Sequence, residues 1–324
     1  MSNRLPLILL LFPWLCSGPL VFAQNAGNLP LVGVLRINTS ENVEPFPTIF
    51  RNTLAALGRI EGQNIRIELR LAEGHAERFP ELAQALVREK ASVIVASGDA
   101  AVRAAQRATQ TIPIVALVDD IVAAGLISSL TKPGGNTTGV SILSSELDSK
   151  RLEILKQLVP SGRRFAVLHD PANASARPQL LPAAARALGV ELQSVDVRSP
   201  ADFASAFASV HAGGADAVNI LSSPLLFGFR ADLCALSMTY KVPAIGQARE
   251  MAEAGCLASY GISFSEFYAT AARLTDKLLK GARADETPAE QPTKFELVVN
   301  QQTARALGLE IAPLVLARAD EVIE

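Results

Sequence analysis

The 324-residue sequence holds 30 basic and 32 acidic residues, a formal charge of -2, and 49% apolar residues with only 5% aromatics. The basic residues are not clustered, so nothing favours nucleic acid or an anionic membrane surface as a partner. About 300 residues beyond the N-terminal segment suffice for two domains of ordinary size, and a core of Ala, Val, Leu and Ile suits α/β layering.

The N-terminal segment has the layout of a cleaved export signal. Arg4 precedes an apolar run over residues 5–15. Ser17, Gly18 and Pro19 break the run, and Val21-Phe22-Ala23 puts small residues where a signal peptidase reads. Residues 1–23 are expected to be removed, leaving Gln24 first. A retained anchor is disfavoured because Pro13 and Pro19 shorten the apolar helix below spanning length. Lipid attachment at Cys16 needs small residues before it, where Pro13, Trp14 and Leu15 stand. No later apolar run is long enough to cross a bilayer.

The body alternates β-rich and helical stretches. Strands are predicted at 31–35, 64–71, 92–96 and 112–118, with helices at 46–57, 76–90 and 100–108 between them. This βαβαβ series implies a parallel sheet covered on both faces. A loop at 132–136 and a strand at 139–143 lead into a second series. It has helices at 149–159, 178–188, 201–211 and 230–240, and strands at 164–169, 191–197, 217–221, 243–246 and 256–260. A long helix over 265–279, a Pro-rich connector, a strand at 294–299 and a helix at 302–307 follow. Cys234 and Cys256, the cysteines beyond the leader, could pair in an oxidising compartment or remain thiols.

Ligands of open parallel sheets bind beyond the carboxyl ends of the strands. The segments that follow the predicted strands are 36–40, 97–99, 119–120, 170–173, 222–224, 249–250 and 259–261, and nearly all are small polar or charged residues. Any one of them is explained as a helix cap; the whole set suggests a shared cleft. Within it, Asp99 and Asp120 could receive an ammonium group, and Arg249 could grip a carboxylate in a two-pronged pair unless it pairs with a neighbouring acid. Tyr260 could supply a wall and a hydroxyl, with lobe packing as the alternative. Ser97, Asn173 and Ser222 are further candidates from the same segments. Asp119 and Asp120 are adjacent, so at most one of them faces a ligand.

Catalytic and cofactor signatures are missing. No Gly-x-Gly-x-x-Gly follows the first strand, the Gly134-Gly135 turn lacks the Lys-Ser/Thr of a phosphate loop, and no Gly-x-Ser-x-Gly elbow occurs. His75, His169 and His211 have no ligand-like spacing. No cofactor, metal or catalytic residue is expected.

Several segments carry a family resemblance. They are residues 57–64 (LGRIEGQN) with 70–74 (RLAEG), 124–127 (AGLI) before 133–139 (PGGNTTG), 290–300 (EQPTKFELVVN) and 316–323 (LARADEVI). On these the chain resembles the solute-binding components of ABC importers, in the branch whose better-known members bind aromatic amino acids and similar small solutes. The resemblance implies two Rossmann-like lobes of the type I periplasmic-binding-protein kind, joined by hinge crossings and closing on a solute. The lobes are expected at 28–142 plus about 263–291, and at 143–262 plus about 292–324. It also implies a periplasmic monomer that delivers its solute to a permease and its ATPase in the inner membrane, without turnover. Similar proteins tend to have Gly-Thr-Pro where this chain has Gly98-Asp99-Ala100, and Gly-Asp-Pro where it has Asp119-Asp120-Ile121. The carboxylate at Asp99 therefore points to an amino-acid-like or amine-bearing solute. Other readings are a sensor feeding a membrane receptor and, on the same scaffold, a periplasmic hydrolase, for which no nucleophile–base pair is found.

Overall fold

The computed structural model describes residues 29–324 apart from 44, 143 and 174–177 and the side chains of 144–146. The expected export signal at 1–23 lies outside the described residues. The first series gives β1 (Leu31–Arg36), α1 (Phe46–Ala56), β2 (Arg66–Leu71), α2 (Phe79–Arg88), β3 (Val93–Ser97), α3 (Asp99–Ala108), β4 (Ile114–Val118) and β5 (Thr137–Ser141). These strands form a parallel sheet in the order β2-β1-β3-β4-β5. β1, β3 and β4 are buried along their whole length. That is why they read as unbroken apolar runs: helices cover both faces of a parallel sheet.

The second series gives α4 (Ser144–Leu158), β6 (Arg164–His169), α5 (Leu181–Leu188), β7 (Glu191–Asp196), α6 (Phe203–Ala212), β8 (Ala217–Ile220), α7 (Pro224–Gly228), α8 (Arg230–Thr239), β9 (Ala244–Gly246), α9 (Arg249–Glu253) and β10 (Ala258–Ile262). The chain continues through α10 (Phe264–Leu279), β11 (Phe295–Asn300), α11 (Gln301–Ala306), α12 (Pro313–Leu316) and β12 (Glu321–Ile323). The second sheet has the order β12-β11-β10-β9-β8-β6-β7. β11 runs antiparallel to β10 and the other pairs are parallel. Short α7, α9, α12 and β12 are absent from the sequence expectation, because each has too few residues to display a period.

The order β7-β6-β8-β9-β10 repeats β2-β1-β3-β4-β5, so the two lobes are built alike. In each, the strand order reverses beside the first strand of the series, which opens a crevice between the carboxyl ends of β1 and β3 and between those of β6 and β8. α10 follows a strand of the second sheet but packs on α1, β3, β4 and β5 of the first lobe. The chain therefore passes from lobe to lobe between β5 and α4, between β10 and α10, and between Glu290, which bridges Val140, and β11. Aromatic packing joins the lobes as well: Phe227 of α7 meets Phe264 of α10 edge to face, with centroids 4.4 Å apart.

Sequence reading left the state of Cys234 and Cys256 open. They form a disulfide, with Cα atoms 4.9 Å apart, which ties α8 to the segment entering β10.

Candidate site between the lobes

Two adjoining narrow chambers lie between the lobes, each a cavity of about 30 Å³. They share walls at Ser97, Gly98, Asn173 and Pro224. Gly98 follows β3 at φ +87°, a conformation that L side chains rarely adopt, and a Cβ there would come within 2.8 Å of Pro224 in the opposite lobe. The missing side chain is what lets the two strand ends approach.

The inner chamber is built around Asp119 and Arg36. Asp119 follows β4 and is 4% exposed. Its carboxylate crosses to the second lobe: Ser222 Oγ donates to Oδ1 at 2.6 Å, and Asn173 Nδ2 donates to Oδ2 at 2.5 Å. Asn173 Nδ2 also donates to the Ser222 carbonyl at 2.7 Å. The Ser222 hydroxyl lies against Gln247 Oε1 too, so two acceptors compete for one proton. Gln247 Nε2 donates to the Ser223 carbonyl at 3.2 Å.

Arg36 ends β1, with 2% of its surface exposed. Nε donates to Asn38 Oδ1 at 3.0 Å, and the guanidinium carbon sits 4.5 Å from the Phe46 ring centroid and 5.5 Å from that of Tyr268. Burial pushes the Tyr268 hydroxyl pKa up, against the pull of the nearby Arg36 charge. Phe227, Phe264, Phe267 and Tyr268 line the same chamber. Three of these stand at i, i+3 and i+4 in the first turns of α10, where helical spacing presents them on one face.

The outer chamber is lined by Asp99, Asp170 and Arg198 together with Ile37, Phe79 and Leu225. Asp99 is buried at the start of α3. Burial raises the Asp170 pKa, opposed by Ser223 Oγ, which donates to Oδ2 at 2.6 Å. The Ser223 hydroxyl in turn caps α7, accepting from the Leu225 amide at 3.0 Å.

Of the residues expected at the cleft, Ser97, Asp99, Asn173 and Ser222 come together here. Asp120, Arg249 and Tyr260 do not. Asp120 turns to the surface, where Oδ1 accepts from the Ala123 amide at 2.9 Å; the neighbouring Asp119 is the one that faces inward. Arg249 opens α9 and is held among Glu253 (3.2 Å), Glu296 (3.5 Å) and Glu321 on the outside of the second lobe. Its hydrogen bond to Glu321 raises its already high pKa further. Tyr260 on β10 packs beside Phe295, and its carbonyl accepts from Arg151 at 2.8 Å. Gln247 and the α10 aromatics were missed, and Arg36 and Asp119 fell within the segments read as the cleft but were not singled out. The available signals were an arginine closing an otherwise apolar strand and an aromatic i, i+3, i+4 set at a helix start.

The family model for ABC transporter substrate binding proteins matches residues 46–323. The chain belongs to that family. Among its relatives is a tyrosine-binding protein of Clostridioides difficile (strain R20291), 26% identical over 282 residues, spanning 86% of this chain and 81% of that one. A Vibrio cholerae conserved domain protein (O1 biovar El Tor strain N16961) superposes with a TM-score of 0.84 at 27% identity, over 91% of this chain and all (100%) of the other. An ABC domain from Streptococcus pneumonia in complex with L-Trp gives 0.82 at 24% identity, over 91% and 100% of the two chains. This substrate-binding protein thus has the two-lobed α/β fold of periplasmic binding proteins, in which a hinged pair of lobes encloses a small molecule. No helix among the described residues is long and apolar enough to cross a membrane.

Proposed function

We propose that the protein captures an amino-acid-like, amine-bearing solute in the inner interlobe chamber and delivers it to an inner-membrane permease driven by an ATPase. It works as an exported periplasmic monomer after cleavage near Ala23, and it carries out no turnover. The observation that carries this reading is Asp119: one buried carboxylate of the first lobe bonded to Ser222 and Asn173 of the second, inside a chamber. A carboxylate has about four acceptor positions, so an ammonium group can join the two donors already present. Aromatic residues are only 5% of the chain, yet Phe227, Phe264, Phe267 and Tyr268 wall this space, which suits a flat apolar body. The tyrosine-binding relative and the L-Trp complex support the same class of solute. Ser97, Ser222, Asn173 and Gln247 supply polar contacts around it, and Asp99 borders it from the outer chamber.

Thermal unfolding in the presence of amino acids, amines, nucleosides and small carboxylates tests the reading, because a ligand of the native state raises the midpoint by mass action. An amino-acid-like compound is expected to raise it, by about 2.7 kcal/mol of stability at one hundred times its Kd. Asp119→Asn is expected to weaken that compound at least tenfold. A purified protein that chemically altered the bound molecule, or that responded to no compound, would overturn the proposal.

A further inference from the structure

We infer that Arg36 is the specificity-determining residue of the inner chamber, and that the solute must bring it an anionic group, a carboxylate by geometry. This rests on the solute-binding reading above and deepens it: the acid end of the solute, not its amine, becomes the obligatory end. Arg36 Nη1 is buried and has no hydrogen-bond partner among the described residues. Nor does Arg36 form an ion pair among them; its Nε bond goes to the neutral amide of Asn38. Among the described residues lining the chamber, Arg36 is the one cation and Asp119 the one anion, and they are not paired with each other. Removing a guanidinium from water costs several kcal/mol unless a counter-ion and hydrogen bonds repay it. The Phe46 ring contributes a cation–π contact but accepts no conventional N–H bond, and the Tyr268 hydroxyl that the guanidinium also meets is neutral, so no charge balances Arg36. The protein supplies Asp119 with its donors and leaves Arg36 short of an acceptor, so the missing acceptor falls to the occupant. Nη1 carries two N–H bonds, and a carboxylate oxygen set against them makes a charge-assisted hydrogen bond.

The test uses the full mature protein, stripped of co-purified small molecules by unfolding and refolding with its disulfide intact. Matched probes are titrated by calorimetry: L-phenylalanine, 3-phenylpropionate (acid without amine), and phenethylamine and L-phenylalaninamide (amine without acid). The two acids are expected to bind, and the two compounds lacking a carboxylate to bind at least tenfold more weakly. Arg36→Met is expected to weaken the acids by about 10- to 100-fold, the range of a lost charged hydrogen bond. Its unliganded melting temperature is expected to be equal or higher, since a buried charge without a partner has been removed. Phenethylamine binding as tightly as L-phenylalanine would overturn the inference and leave the solute-binding reading standing. Full affinity for the acids in Arg36→Met would do the same. Should Arg36→Met not fold, the comparison of acid and amine probes on the unaltered protein decides the matter alone. Binding of none of these probes, nor of any other small solute, would overturn both.

Discussion

At Asp119 and Asp120, two identical side chains one residue apart take opposite roles. Both follow a strand whose residues are buried on both faces, so alternation of polarity along β4 gives no clue to which one points inward. What decides it is the local turn. Asp120 accepts from the amide three residues on and is consumed in closing that turn, which leaves Asp119 to cross the cleft. Asp120→Ala is expected to leave solute affinity within twofold while costing about 1 kcal/mol of stability, the net worth of one hydrogen bond. Arg249→Ala is likewise expected to leave affinity unchanged, because three glutamates on the outer surface already hold the side chain. Calorimetric titration of either variant with the solute of the unaltered protein checks this. A tenfold loss in Asp120→Ala would place that residue back in the site.

The same competition explains how far elements were legible in the sequence. Long elements with a full period, such as α10 and the apolar runs of β1, β3 and β4, lie within a few residues of where the pattern predicts them. Their signal comes from burial, and burial repeats along the chain. The crevice at the strand ends was legible for the same reason, as a run of small polar residues after each strand. Which of those residues cap a helix and which face the solute was not, because a cap and a ligand contact call for the same side chains. Short α9 is the clear case: with five residues it shows no period, and Arg249 at its start read as a strand end. The disulfide also belongs to this scale. It joins α8 to the entrance of β10 across a sequence separation of 22, and the chain-entropy model gives such a loop about 3 kcal/mol. Replacing Cys234 and Cys256 together by Ser is expected to lower the unfolding free energy by about that amount. Solute affinity should stay unchanged, since neither residue lines a chamber. Equal denaturant midpoints for the two proteins would show that the bond does not contribute.

For the molecule as a whole, the direct contacts between lobes define a closed arrangement: Asp119 on Ser222 and Asn173, Gly98 against Pro224, and Gly228 against Asn38. Solute affinity then depends on the cost of reaching that arrangement as well as on contacts to the solute, since a binding-competent state populated at a fraction f weakens the apparent Kd by 1/f. Gly228 allows the two contributions to be separated. A Cβ there would come within 2.7 Å of Asn38 Nδ2 in the other lobe. Gly228 lies in a short helix, is not given to a left-handed conformation and lines neither chamber. A larger side chain would act as a wedge: Asn38 could swing aside for a methyl group but not for an isobutyl group without parting the lobes. Gly228→Leu is therefore expected to weaken solute binding about tenfold, which is 1.4 kcal/mol against closure, with no residue of the inner chamber itself substituted. Small-angle scattering should show the unaltered protein contracting on saturation with solute. Gly228→Leu should have the larger radius of gyration at the same solute concentration and contract only when that concentration is raised about tenfold. If the variant bound as tightly as the unaltered protein, lobe closure would not be coupled to solute capture, and the contacts across Asp119 would be packing alone.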